Sequence, residues 1–108
     1  MVACLLLRLK GYRILATRVR TPVGEIDIVA QRGRLLIFVE VKQRKSREAA
    51  LEAITPKQRA RIARAALLWA AKHKKHHLSL RFDVIAIAWP RPPSHIMDAW
   101  GSDVQATL

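Results

Sequence analysis

The sequence predicts an α/β fold in which a mixed sheet is flanked by helices. Three observations predict this class: β-rich segments over 12–43, a long amphipathic segment at 55–74, and a further strand-like segment at 80–89. A helix between two strands usually connects a parallel pair, so at least one strand pair should be parallel. The predicted order is therefore helix, three strands, helix, strand.

The first half of the chain is expected to contain a short helix and three strands. Residues 1–7 are apolar and predict the tail of an amphipathic helix, with Gly11 as its C-cap. Turns at 21–24 and at 32–33 then separate the strands. The strands are expected at 12–20, 25–31 and 34–42, and the second and third form a β-hairpin.

Capping residues predict where the helices in the second half of the chain begin. Ser46 begins a short helix that ends near 54, and Thr55 with Pro56 begins a longer helix that runs to about 74. Residues 80–89 predict the fourth strand, and residues 96–100 predict a last short helix. The tryptophans are interpreted as core or edge anchors rather than as a stacking platform for bases; they are Trp69, Trp89 and Trp100.

Chain length and cysteine content limit the number of domains and the kinds of site that the chain can form. The 108 residues are expected to form a single domain over 1–108. The longest apolar stretch is far shorter than the roughly 20 residues of a membrane-spanning helix, so no membrane partner is expected. The single cysteine, Cys4, excludes a disulfide framework and a zinc site built from cysteines. This usage fits a reducing compartment, and we expect the cytoplasm.

The charge predicts a polyanionic partner. Twenty Lys and Arg residues oppose eight Asp and Glu residues, which gives a net charge of +12. Nucleic acid is the favoured partner, although charge alone does not separate DNA from RNA.

Two basic segments are expected to contact the phosphate backbone, although a run of charge is often only a solvated face. One is a stripe along the long helix and the other lies in the first strand. The candidate residues are Lys57, Arg61, Arg64, Lys72 and Lys75 in the former, and Arg13, Arg18 and Arg20 in the latter. The opposite side of the helix should pack on the sheet through Ile62, Ala63, Ala66, Leu67, Trp69 and Ala70.

The hairpin carries an unusual set of polar residues. Side chains alternate between the faces of a strand, so Glu25 and Asp27 should share a face, and so should Glu40 and Lys42. A two-residue loop at 32–33 would set Glu25 opposite Glu40, with Asp27 one pair away. The other face is predicted to be apolar and to belong to the core; it comprises Ile26, Ile28, Ala30, Leu35, Ile37, Val39 and Val41.

The residues alone leave two interpretations of this hairpin open. Three close carboxylates repel one another, and a bound Mg²⁺ would offset that repulsion. Mg²⁺ beside a basic surface suits phosphodiester hydrolysis, in which Lys42 could orient the attacking water or neutralise developing charge. The alternative is an exposed face that carries only salt bridges.

The order of motifs resembles a known superfamily. Glu25-Ile26-Asp27, followed after twelve residues by Glu40-Val41-Lys42, is similar to the E-x-D…E-x-K signature of the restriction-endonuclease-like, or PD-(D/E)XK, nucleases. Segments at 11–15, 24–29, 38–42, 55–57 and 81–84 resemble the YraN-like family of small bacterial proteins. The resemblance implies a restriction-endonuclease-like αβββαβ core, which is the order predicted above.

The resemblance also implies roles for individual residues. Asp27 and Glu40 would bind Mg²⁺ or Mn²⁺ together with the backbone carbonyl of Val41, and Lys42 would be the catalytic lysine. Glu25 would be a supporting or second-metal ligand. Related resolvases place a further metal-site glutamate on the first helix, whereas this chain has no acidic residue before Glu25.

Two functions of different classes are therefore predicted. The first is a divalent-metal-dependent DNA endonuclease that acts on branched or damaged DNA. The alternative is a non-catalytic nucleic-acid-binding module on the same scaffold. Cleavage of both strands of a duplex would favour two sites related by a two-fold axis, so a homodimer is expected on mechanistic grounds.

Overall fold

Three layers make up the fold: one helix, a five-stranded sheet, and two further helices on the other face. The structure is a computed structural model that describes residues 1–100. The helices are α1 (Val2–Leu9), α2 (Arg47–Glu52) and α3 (Pro56–Lys72). The strands are β1 (Arg13–Thr21), β2 (Gly24–Arg32), β3 (Leu35–Gln43), β4 (Ser79–Ile87) and β5 (Ser94–Ile96).

The sheet is mixed, as predicted. Its strand order is β1-β2-β3-β4-β5, and only the β3–β4 pair is parallel in the part of the chain described. The α2–α3 segment connects this parallel pair, which is the crossover that the sequence predicts. The carboxyl ends of β3 and β4 therefore lie at one edge of the sheet, with Lys42 level with Ala86.

Helix ends follow the predicted caps. The Ser46 hydroxyl accepts a hydrogen bond from the Ala49 N–H at the start of α2. Thr55 begins α3 with a capping box, in which its side chain accepts the Gln58 N–H and the Gln58 side chain accepts the Thr55 N–H. At the end of α1, Gly11 takes a left-handed φ of +89°, and the Tyr12 N–H donates to the Leu7 carbonyl.

The hairpin register differs from the prediction. The turn is formed by Gly33 and Arg34, so Arg32 pairs with Leu35 and Ile28 pairs with Val39. Gly33 has a φ of +60° at the first turn position, where a type II′ turn needs glycine. Partners are therefore displaced by two residues from the expected register. Because the side-chain period of a strand is two, this displacement alone leaves each side chain on its predicted face, and only Ile26 and Asp27 depart from the prediction.

The face predicted to be apolar belongs to the core, apart from Ile26, and the opposite face of the sheet is buried as well. On the α3 side, β2 and β3 bury Ile26, Val29, Leu36 and Phe38. On the α1 side, they bury Ile28, Ala30, Ile37 and Val39 beneath Ala3, Cys4 and Leu7. Sheets whose crossovers place helices on both faces contain such continuous apolar strands.

Ile26 and Ile28 lie on opposite faces although they are two positions apart, so the strand is irregular at Asp27. On the neighbouring strand, Arg18 takes a left-handed φ of +51°. Its neighbours Thr17 and Val19 pair with Ile28 and Ile26. Irregularities of this kind redirect side chains at the edge of a regular ladder.

Three details of the second half differ from expectation. Leu67 is 42% exposed, whereas Ala65 is buried in its place on α3. Residues 94–96 form β5 against β4, and Asp98 takes a left-handed φ of +54°, so the predicted helix at 96–100 is wrong. Trp69 and Trp100 are buried as expected, but Trp89 is 86% exposed.

No helix within residues 1–100 is both long and apolar enough to cross a membrane.

Candidate functional site

The candidate site lies where β2 and β3 separate. Their backbone ladder ends at Ile28 and Val39. Beyond that pair, the Asp27 N–H donates to Glu40 Oε2 at 3.2 Å, and the Val41 N–H donates to Asp27 Oδ2 at 2.8 Å. Side-chain carboxylates thus take the place of the missing backbone acceptors. We call Asp27, Glu40 and Val41 the strand gap.

A cavity of about 330 Å³ opens from the strand gap towards α3. Glu25, Glu40 and Lys42 line it from the sheet, and Gln58 and Arg61 line it from the helix. The remaining lining residues are Gly24, Ile54 and Ile62. We call this space the Glu40 cavity; it brings two of the predicted acids and the predicted lysine together.

Gly24 allows the helix to approach the site. A Cβ atom at this position would lie 3.3 Å from the backbone oxygen of Arg61 and 3.4 Å from its Cβ. Any larger residue would therefore push α3 away from the hairpin. The small residue before Glu25 thus allows Arg61 to line the same cavity as Glu25 and Glu40.

Glu40 is 8% exposed, and its surroundings favour the protonated form. The pKa of Glu40 is raised from 4.5 to about 8, mainly by burial and also by the nearby Asp27 carboxylate. The hydrogen bond from the Asp27 backbone and the Lys42 ammonium act in the opposite direction but do not outweigh these effects. A cation bound at the strand gap would supply the missing positive charge.

The other two acids are placed differently. Asp27 borders a depression on the α1 side of the sheet together with Met1, Arg18 and Val41. Glu25 points towards solvent, with its carboxylate 3.4 Å from Arg20 Nε and its side chain 71% exposed. The acids therefore do not converge on one surface: Glu40 opens to the cavity, Asp27 to the opposite depression, and Glu25 lies at the rim.

The strand gap offers two carboxylates to a divalent cation of the Mg²⁺ type, although they open to opposite faces of the sheet. Within residues 1–100, no three His, Cys, Asp or Glu side chains form a group that could enclose a metal ion. Mg²⁺ needs only one or two carboxylates, because it keeps several of its waters. Asp27 and Glu40 each use one oxygen in the strand-gap hydrogen bonds, which leaves the second oxygen of each as a ligand.

The predicted basic residues are mostly exposed, but few reach the site. Seven of them are classed as exposed: Arg13, Arg18, Arg20, Lys57, Arg61, Arg64 and Lys72. Arg61 lines the Glu40 cavity, whereas Lys57 does not. Lys75 is partly buried and donates to Gln31 Oε1 at 2.9 Å, beyond the end of α3.

Sequence reasoning missed Gln58 and the basic loops after β3 and β4. Gln58 occupies the fourth position of the Thr55-Pro56-Lys57-Gln58 capping sequence, so its closeness to the helix start was the available signal.

A second acidic cluster lies on the α1 side of the sheet and has a different character. Asp83 is fully buried and accepts two hydrogen bonds of 2.8 Å from Arg81. It also accepts the Asp98 N–H at 3.0 Å, and His95 Nε2 lies 2.8 Å from Oδ2. Arg81 donates further to the Tyr12 hydroxyl at 2.9 Å. We call this set the Asp83 network; it ties β4 to β5 and to Tyr12, three residues beyond the end of α1.

Known proteins match nearly the whole chain. The model of the Uncharacterised protein family UPF0102 matches residues 1–87, which include the strand gap and the Asp83 network apart from His95 and Asp98. The chain belongs to the UPF0102 family. This is the YraN-like family that the sequence motifs resemble.

Relatives support the same assignment. A UPF0102 protein of Caulobacter vibrioides is 54% identical over 101 residues, which is 93% of this chain and 81% of the relative. UPF0102 proteins of Maricaulis maris and Parvibaculum lavamentivorans are each 51% identical. Their matches cover 84% and 92% of this chain, and 72% and 75% of the relatives.

Proposed function

We propose that this UPF0102 protein is a divalent-metal-dependent endonuclease that hydrolyses phosphodiester bonds in DNA, on branched or damaged structures. The observation that carries the proposal is Glu40, a buried acid beside Asp27 in a cavity that also holds Lys42 and Arg61. A buried acid next to another acid and a lysine is typical of a catalytic site.

Asp27 and Glu40 would hold Mg²⁺ or Mn²⁺, with the backbone carbonyl of Val41 as a further ligand. When bound, such an ion stabilises negative charge on the phosphate and lowers the pKa of a coordinated water. Residues of the chain supply the other catalytic groups. Lys42 lies in the same cavity, where its ammonium group can orient the attacking water and neutralise charge that develops on phosphorus.

The cavity wall formed by α3 suits the substrate backbone. Arg61 lines the cavity from α3, where its guanidinium can bind a phosphate oxygen and position the scissile group. Glu25 lies at the rim as a supporting acid. The net charge of +12 and the exposed cations of β1 and α3 support binding of a polyanion.

DNA is proposed over RNA because the motifs resemble DNA-cleaving enzymes. We place the activity in the cytoplasm, and the cutting of both strands would use two copies of the chain.

Cleavage of duplex, forked and four-way DNA with and without Mg²⁺ tests the proposal. The wild-type protein should cut at least one of these substrates only when metal is present. Lys42→Ala should lower the rate by about 100-fold or more, because general-base and charge-neutralising groups typically contribute that much. The matched control is Lys74→Gln, which removes an exposed charge outside the cavity. Undiminished cleavage by Lys42→Ala would remove the lysine from the mechanism.

A non-catalytic nucleic-acid-binding module on the same scaffold is the second candidate. It is favoured by the lack of three grouped metal-binding side chains within residues 1–100. Mn²⁺ separates the two functions. An ion held by the strand gap should raise the thermal midpoint of the wild type but not that of Asp27→Ala. Equal midpoints with and without Mn²⁺, together with intact DNA binding, would support the binding module.

A further inference from the structure

Trp89 is an unusually exposed aromatic side chain. It lies two residues beyond the end of β4 and is 86% exposed, whereas Trp69 and Trp100 are each at most 7% exposed. A turn follows directly, since the Arg91 N–H donates to the Ala88 carbonyl at 2.9 Å. An indole on such a turn offers a large flat surface to a ligand and contributes little to the core.

Residues on both sides of this tryptophan in the chain, Ala88 and Arg91, line a basic depression. It has a volume of about 330 Å³ and is lined by both the loop after β3 and the loop after β4. Its cations are Arg44, Lys45, Arg47 and Arg91, against one acid, Glu48. Within residues 1–100 none of these cations forms an ion pair. Their positive charge is therefore free to bind an anion.

Two of these cations are held in place by neutral partners. Arg47 donates to the Ser94 hydroxyl at 2.7 Å, and Arg44 donates to the Gln43 carbonyl at 2.8 Å. Ser94 also lines the depression and can donate its hydroxyl hydrogen to a phosphate oxygen. These hydrogen bonds restrict the guanidinium groups before any ligand arrives, which reduces the entropic cost of binding.

The depression lies next to the proposed catalytic lysine. β3 and β4 are parallel, with Lys42 level with Ala86, and the Arg44 N–H donates to the Ile87 carbonyl at 3.1 Å. Trp89 is thus three residues beyond Ala86, the residue level with Lys42, and three residues span at most about 11 Å. Two or three nucleotides of one strand can span that distance.

We infer that Trp89 and the neighbouring basic depression bind an unpaired nucleotide of the DNA strand, with the base stacked on the indole and its phosphate held by the arginines. This inference rests on the proposed function and specifies its substrate as DNA with a single-stranded segment beside the cleavage point. Bases inside a duplex present no free face, so only an unpaired base can stack on Trp89.

Binding of a fluorescein-labelled oligothymidylate and of a matched duplex, both in EDTA at low salt, tests the inference without cleavage. Trp89→Ala should weaken binding of the single strand about tenfold, which corresponds to one lost stacking contact, and should change binding of the duplex less than twofold. Trp89→Phe should restore most of the affinity. Arg91→Ala should lower the dependence of single-strand binding on salt by roughly one in the logarithmic slope.

Matched variants separate these effects from general loss of surface or charge. Leu9→Ala removes a 77% exposed apolar side chain from α1, and Arg34→Ala removes an exposed charge from the opposite end of β3. Neither should show the preference for single strands. Thermal midpoints of Trp89→Ala and wild type should agree, because this side chain contributes little to the core.

The outcomes distinguish the inference from the function on which it rests. Absence of binding to either DNA by the wild type would end the proposed function itself. Wild-type binding that Trp89→Ala and Arg91→Ala retain for both probes would overturn the inference alone. A change in oligomeric state of Trp89→Ala, seen by light scattering with unchanged single-strand affinity, would also overturn it and assign Trp89 to a protein contact.

Discussion

Two regions of this molecule bury an acidic side chain against the central strands, and they differ in the groups that surround its carboxylate. In the Asp83 network, a fully buried carboxylate accepts hydrogen bonds from Arg81, His95 and the Asp98 N–H. At the strand gap, the nearly buried Glu40 has another acid, Asp27, beside it. Asp83 is held in ion pairs, whereas Glu40 forms none within residues 1–100.

The pKa values follow from this difference. Burial acts to raise the pKa of both acids. For Asp83, the hydrogen bonds from His95 and Arg81 outweigh burial, and its pKa lies below the ordinary value. For Glu40, Asp27 adds to burial and the pKa rises to about 8. A fully paired acid stabilises a fold, whereas an under-compensated one is suited to bind a cation or move a proton.

The largest expected effect is on the Asp83 network. Asp83→Asn should lower the free energy of unfolding by about 3 kcal/mol at neutral pH, because it leaves Arg81 partly buried without its countercharge. The lowered pKa of Asp83 gives the sign of the pH dependence. The stabilisation is present above the pKa of the unfolded chain and is lost as the pH falls through the folded pKa.

Urea unfolding at neutral and acidic pH measures this prediction. The difference between wild type and Asp83→Asn should shrink on acidification. Glu48→Gln, at an exposed acid on α2, is the control and should change stability by less than about 0.5 kcal/mol. A loss of similar size at both pH values would mean that the ion pair is not its source.

The next effect has the opposite sign. Glu40→Gln should stabilise the protein by about 2–4 kcal/mol above pH 8, because the neutral amide keeps an acceptor for the Asp27 N–H and carries no charge. The folded pKa of Glu40 is raised from 4.5 to about 8, so the wild type loses stability as the pH rises across that interval. Below it, the two proteins should be equally stable.

Thermal unfolding without metal, at a pH below and a pH above this interval, checks the prediction. A gain that is equal at both pH values would come from packing rather than from charge, and it would remove the contrast between the two acids. Mn²⁺ should reverse the ranking at high pH, since an ionised Glu40 then gains a cation that glutamine binds poorly.

The smallest effect is expected at the rim. Arg20 and Glu25 form a pair at 3.4 Å with side chains 86% and 71% exposed. Arg20→Ala should change the free energy of unfolding by less than about 0.5 kcal/mol, because solvent screens such pairs. A loss above about 1 kcal/mol in urea unfolding would show that Glu25 is held in place by this pair, and the rim would then be part of the structural network.

Local sequence signals predicted α1, α2 and α3 and their ends well, whereas the helix predicted at 96–100 is wrong, and tertiary contacts account for the errors. Thr55, Pro56 and Gln58 start α3 through contacts with residues a few positions away, which a sequence pattern contains. The Asp83 network joins residues up to 69 positions apart, so only the position of Asp83 on a strand could be foreseen. Trp89 follows an apolar run that predicts a strand, yet β4 ends at Ile87 and the chain turns away from the core.

The sequence by itself determined the order of elements from α1 to β4, the parallel pairing across α3, and the face of β3 that carries Glu40 and Lys42. Local propensity and the two-residue period of a strand dictate these features. Only the tertiary structure decided the turn at Gly33 and Arg34, and the separation of β2 from β3 at Asp27. It also decided the burial of both sheet faces. These features depend on which surfaces meet when helices close over the sheet, and that choice minimises exposed apolar area over the whole chain rather than within any segment.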